Sequence, residues 1–155
     1  MATGWDWESG DGLLRLDDPV EWDAAFERGE RSLGTAVIGL AFNCSLEEAS
    51  PRIVRATQLP DPDQRGFAFT AAGTVARLNN ALTPELYGTL RAEGRRGFAE
   101  NAIDDTLTFV PFRDLPPRFK WWKVQSTGSD KLLRWLLWPQ DTFWELRETL
   151  RRRRS

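Results

Sequence analysis

Glu100, Asp104 and Asp105 fall in one stretch, the first two four residues apart. On a helix that spacing puts the carboxylates on one face, where they could move protons or hold a divalent cation. A row of this kind is more often a solvated helix face, and we read it so. The chain offers little other chemistry. It has no histidine, which removes Ser-His and Cys-His nucleophile pairs and the commonest zinc ligand. Cys44 is the single cysteine; with no basic neighbour nearby in sequence it reads as a packed, idle thiol. Gly10-Asp11-Gly12 and Ser126-Thr127-Gly128-Ser129-Asp130-Lys131 have the composition of phosphate loops without their spacing. No catalytic residue, metal or cofactor is expected.

The elements that would carry the acidic row are organised by a repeat. Arg65-Gly66-Phe67-Ala68 recurs as Arg96-Gly97-Phe98-Ala99, 31 residues later. Laid over each other, Phe67 falls on Phe98, Ala68 on Ala99, Ala71 on Ala102 and Leu78 on Phe109. Those offsets form a stripe at the 3.6-residue helical period. A stripe repeated at fixed spacing is the mark of stacked helical hairpins, which bury their apolar faces against neighbours. Each copy is therefore expected to open a helix, the first over Gln64–Leu78 capped by Asp63, the second running to Phe109.

The remaining helices are announced by caps and breakers. Asp17-Asp18-Pro19 starts one that runs to Arg28 and stops at Gly29. Leu33–Phe42 is short, apolar and partly β-branched; a strand is possible by pattern, but a helix ended by Asn43 is preferred. Ser45 and Glu48 form a capping-box pattern. Pro51 then has to lie in the first turn, which moves the start toward Ser50, or bend the helix. Thr83-Pro84 opens a helix that Gly94 breaks. Residues 1–16 read as an acidic arm without regular structure, pinned by Trp5 and Trp7. Residues 111–128 are rich in proline and read as irregular. A helix capped by Ser129 or Asp130 and a last helix ending in Arg151–Arg154 follow.

Asp63-x-Arg65-x-x-Ala68, followed by Ala72, Val75 and Leu78, resembles the second helix of a HEAT repeat. The resemblance covers about residues 17–110 as three repeats. The first departs from the pattern: Arg31 matches, but the Asp-Pro-Asp turn is missing. It implies an all-α fold, a short HEAT-like α-solenoid of about three helical hairpins closed by a Trp-rich C-terminal helical cap at 111–155. It also implies a scaffold or protein-binding surface, with inner helices lining the side where ligands dock. On that face Asn101, Asp104 and Asp105 superpose on Thr70, Gly73 and Thr74, and Arg77 extends it. These seven residues are the candidate partner-binding site, with Gly73 small enough to leave room for an incoming side chain.

Charge and tryptophan are unevenly placed. Residues 1–30 hold nine acids against two arginines, and residues 111–155 hold eleven Lys/Arg against five acids. The overall net charge of −2 predicts no general affinity for nucleic acid. None of the eight tryptophans lies between residues 23 and 120, as expected if bulky rings close the two ends of a repeat array. The basic tail, with Trp135, Trp138, Trp144, Arg151 and Arg152, reads first as a packed cap, second as a contact for an anionic membrane surface, and third as a nucleic-acid contact. A lone cysteine, an acidic N-terminus without a signal-peptide stretch and no bilayer-length apolar run point to a cytoplasmic protein. The function expected is non-enzymatic binding of another protein by an immunity-type or adaptor module, the acidic front suiting a basic partner. The alternative is a peripheral membrane protein using its Trp/Arg tail; a DNA-binding repeat protein comes after it.

Overall fold

The computed structural model describes residues 4–127. Its chain falls into two compact units, Met1–Pro116 and Pro117–Ser155, and each is taken by itself. Among the described residues all regular structure is helical, so the fold is all-α. Leu33–Phe42, the one run with a strand-like pattern, lies in a helix.

In the first unit local chemistry sets most of the helix ends. α1 (Pro19–Arg28) begins with proline in its first turn, and the Asp18 carboxylate accepts from the amides of Val20 and Glu21 at 3.0 and 3.2 Å. It ends at Gly29, whose φ of 71° is open to glycine at no steric cost. α2 spans Leu33–Asn43. α3 (Leu46–Ala56) has the full reciprocal capping box between Ser45 and Glu48. α5 (Pro84–Glu93) is capped by Thr83, which accepts from the Leu86 amide at 3.3 Å.

Three sequence expectations need correction. α3 begins at Leu46 and contains Pro51, rather than starting at Ser50. The carbonyl deprived of its partner belongs to Glu47, which is exposed to water. Its neighbours are served by side chains: Ser50 Oγ donates to Leu46 O at 2.5 Å and Arg52 Nη1 to Glu48 O at 2.7 Å. α4 (Pro62–Asn79) starts two residues earlier than expected, because Asp61 rather than Asp63 is the cap. The two Arg-Gly-Phe-Ala copies also differ in conformation. The first lies inside α4, while the second precedes α6 (Glu100–Phe109), with Gly97 at φ 93°. Upstream of the first copy stand a capping Asp and a proline that launch the helix early. Upstream of the second stands only Gly94, also at positive φ, and nothing there caps a first turn.

The helices pack in two rows. α2 lies on α4 and α4 on α6; α1 lies on α3 and α3 on α5; α2 and α3, α3 and α4, and α1 and α2 join the rows. Glycines set the closest approaches. A Cβ at Gly34 of α2 would overlap the backbone carbonyl of Gln64, and one at Gly39 would overlap that of Leu13. Gln64 uses this proximity: its Oε1 accepts from the amides of Gly34 and Thr35 at 2.7 and 3.1 Å. It thereby caps α2 from another helix, where Ser32 makes no side-chain cap of its own.

The N-terminal arm is also more ordered than its composition suggests. Leu13–Arg15 forms a 3₁₀ turn against α2, with Leu13 and Leu16 fully buried. Asn43 Nδ2 donates to the carbonyls of Leu14 and Leu16 at 3.0 and 3.2 Å. Trp7 is buried and its indole N–H donates to Glu21 Oε1 at 3.3 Å.

In the second unit, residues 117–127 are helical, where an irregular segment was expected. Pro117 occupies the first helical position, where the missing N–H removes no bond, so a proline pair that reads as a breaker acts as a start. We number this helix α7. Within it Phe119 and Trp122 meet edge to face at 5.0 Å between centroids, and the Arg118 guanidinium sits 5.6 Å from the Trp122 ring centroid. Residues 128–155, including the expected C-terminal helices, lie outside the described residues.

Candidate partner-binding face

α4 and α6 carry the seven candidate residues, and the 31-residue register survives in their burial. Ala68 and Ala99 are both buried, as are Ala71 and Ala102. Phe67 and Phe98 are 41% and 43% exposed, and Leu78 and Phe109 51% and 38%. Two of the four shared apolar positions thus point into the core and two outward. The outward pairs stand at the two ends of a stripe, with polar residues between them.

The structure divides the seven. Thr70, Arg77, Asn101 and Asp104 are exposed, while Asp105 is half-buried and Gly73 and Thr74 are buried. The room expected beside Gly73 is already occupied. A Cβ there would stand 2.8 Å from Asp105 Oδ2 and 3.2 Å from Ala102 Cα, so this glycine lets α6 approach α4. Thr74 turns its hydroxyl onto the Thr70 carbonyl at 3.0 Å, the usual way a buried helical threonine satisfies itself. Thr106 does the same onto Ala102 at 2.7 Å. The accessible part of the site is therefore the stripe Thr70, Arg77, Asn101 and Asp104, flanked by Phe67 and Leu78 on α4, with Phe98 just before α6 and Phe109 at its end. Its electrostatics are mixed: Arg77 supplies one cation, and Asp104 lies 3.9 Å from Arg95 Nη2.

The two tetrapeptide copies meet directly. The Phe98 ring lies parallel to Phe69 at 6.4 Å and approaches Gly66 to 3.4 Å, measured from where a Cβ would be. The Arg65 guanidinium sits 5.4 Å from the Phe98 ring centroid. This contact was not read from the sequence. The repeated motif pointed to both segments, but nothing in it said that one would pack on the other.

Glu100, Asp104 and Asp105 do not converge, and among the described residues no three His, Cys, Asp or Glu side chains are placed to share a metal ion. Cys44 is half-buried, and its Sγ lies 3.5 Å from the Asp17 carbonyl. Burial pushes its thiol above the ordinary value of 9.0, and Glu48 and Asp17 add to this against Arg52. Its thiolate is thus disfavoured in the fold. At pH 8 the native protein should react with a thiol-specific disulfide reagent more slowly than the same chain in urea; faster labelling of the native form would contradict this environment. Trp135, Trp138, Trp144, Arg151 and Arg152 lie outside the described residues. Among those described, no helix is long and apolar enough to cross a membrane.

A concavity lies between the end of α3, the start of α4 and one face of α5. It encloses about 600 Å³, with Thr57, Gln58 and Arg65 on one side and Glu85, Thr89 and Glu93 on the other. The sequence did carry a signal for it: residues 85, 89 and 93 recur every four positions, which places two acids on one helix face. No family model, curated protein or solved structure matches the chain.

Proposed function

We propose that this chain is a non-enzymatic, protein-binding module of the HEAT-like α-solenoid type, acting as an immunity-type or adaptor protein that neutralises or positions a partner. The observation that carries the reading is the exposed stripe of α4 and α6. It has polar and charged residues in the middle and half-exposed aromatic or aliphatic residues at matched positions on both sides, the composition of a contact patch with apolar anchors. Stacking in two rows supports it, because such stacking lays equivalent positions of successive helices side by side. A basic partner fits best. Asp6, Asp11, Asp17, Asp18, Glu27 and Glu47 are all exposed, and an excess of surface charge of one sign speeds encounter with the opposite sign.

The test is a charge reversal on the accessible residues alone. Asp104→Lys with Arg77→Glu should weaken binding to a partner recovered by cross-linking in the native cell by about tenfold or more. Its thermal midpoint should stay near the parent's, since both side chains are exposed. Unchanged affinity would remove this face from the interface. Asp105 is left alone because it packs against Gly73, and changing it would confound binding with folding.

A further inference from the structure

We propose that the concavity between α3, α4 and α5 is a second binding site, which takes an arginine- or lysine-bearing peptide segment of a partner protein. It does not depend on the α4/α6 stripe.

The groove is lined by both donors and acceptors of hydrogen bonds. Most donors are engaged, Gln58 Nε2 with Thr57 Oγ1 at 3.5 Å among them, while Nε and Nη2 of Arg65 have no acceptor among the described residues. Thr57 Oγ1 donates to Val54 O at 2.6 Å and Thr89 Oγ1 to Glu85 O at 3.0 Å. Arg65 Nη1 reaches the carbonyls of Leu59 and Pro60 at 3.2 and 3.4 Å while its guanidinium lies over Phe98. The acceptors are not engaged: the Glu85 and Glu93 carboxylates have no ion-pair or hydrogen-bond partner among the described residues. Glu85 and Glu93 against the single guanidinium of Arg65 leave the walls with an excess of negative charge and free lone pairs, and what fits them is a cation rich in N–H donors.

The shape agrees. Glu85 and Glu93 stand eight residues apart on α5, about 12 Å along the axis, so two basic side chains of one extended segment can reach both. Between them Gly88 has nothing within 4 Å of where its Cβ would be, leaving bare backbone for a partner chain to lie against. Phe69 and Ala92 provide apolar lining for the methylene stems that such side chains bury.

The probe is an acetylated, amidated glycine hexapeptide with two arginines, titrated into ¹⁵N-labelled full-length chain; the control carries two glutamates instead. The arginine peptide should shift the amides of residues 57–58 and 85–93, and the glutamate peptide should not. Glu85→Gln/Glu93→Gln should weaken binding by about tenfold or more. Gly88→Leu should do the same by filling the groove, with the charge untouched and the open helical position tolerating the side chain. Three results would overturn the proposal: no shifts with the arginine peptide, shifts centred on Asp6–Asp18 instead, or binding unchanged in both well-folded variants.

Discussion

Gly34→Ala is expected to destabilise the protein by about 3 kcal/mol or more, from the added methyl alone. The new Cβ would overlap the Gln64 carbonyl of α4, and that obstacle is backbone, which cannot rotate away as a side chain could. To admit it, α2 and α4 must separate. Separation also stretches the bonds from Gln64 Oε1 to the Gly34 and Thr35 amides, so two first-turn donors of α2 lose their partner together. Net loss per bond is about 1 kcal/mol when the donor can find water and more when it cannot. Gly88→Ala is the matched control. It is the same substitution in helix α5, in open space, and helix propensity favours alanine there by about 1 kcal/mol. Urea unfolding followed by far-ultraviolet circular dichroism should show a large fall in midpoint for the first and a small rise for the second. Equal midpoints would mean that the α2–α4 approach is not as close as described.

Trp22→Ala should cost about 3–5 kcal/mol, the range for emptying a large buried aromatic site. Trp22 is fully buried and stacks on Phe26 at 5.5 Å, and its indole N–H donates to Leu33 O at 3.1 Å. It is the peg between α1 and the start of α2. Trp22→Phe keeps the ring in the cavity but drops the bond to Leu33, so it should lose less than alanine by the packing share. If alanine and phenylalanine destabilised equally, the hydrogen bond rather than the packed ring would be the main contribution.

How much of this was legible beforehand depends on the range of the interaction. The helices at Pro19–Arg28 and Pro84–Glu93 were readable because Asp18 and Thr83 each act on amides two or three residues away; Ser45 with Glu48 signalled Leu46–Ala56 in the same way, but Pro51 argued for a later start. The outward halves of the stripe, Phe67 with Phe98 and Leu78 with Phe109, were visible as a pattern, but whether they faced core or solvent was not. Periodicity says which residues share a face and leaves open what covers it. The same gap explains Gly73. A glycine in a helix reads as space, and only the position of α6 shows that Asp105 and Ala102 have taken it.

By itself, then, the chain determined its all-helical character, most helix ends and the phase of the repeated stripe, because capping, proline geometry and glycine freedom operate within one turn of backbone. The tertiary structure alone decided that the second Arg-Gly-Phe-Ala copy stays outside its helix, that Gln64 caps a helix 30 residues away, that Leu13 and Leu16 pin the arm, and that two glutamates with no partner among the described residues border a groove. Those outcomes turn on contacts between segments far apart in the chain. Their energies depend on where whole helices come to rest, and no local pattern encodes that.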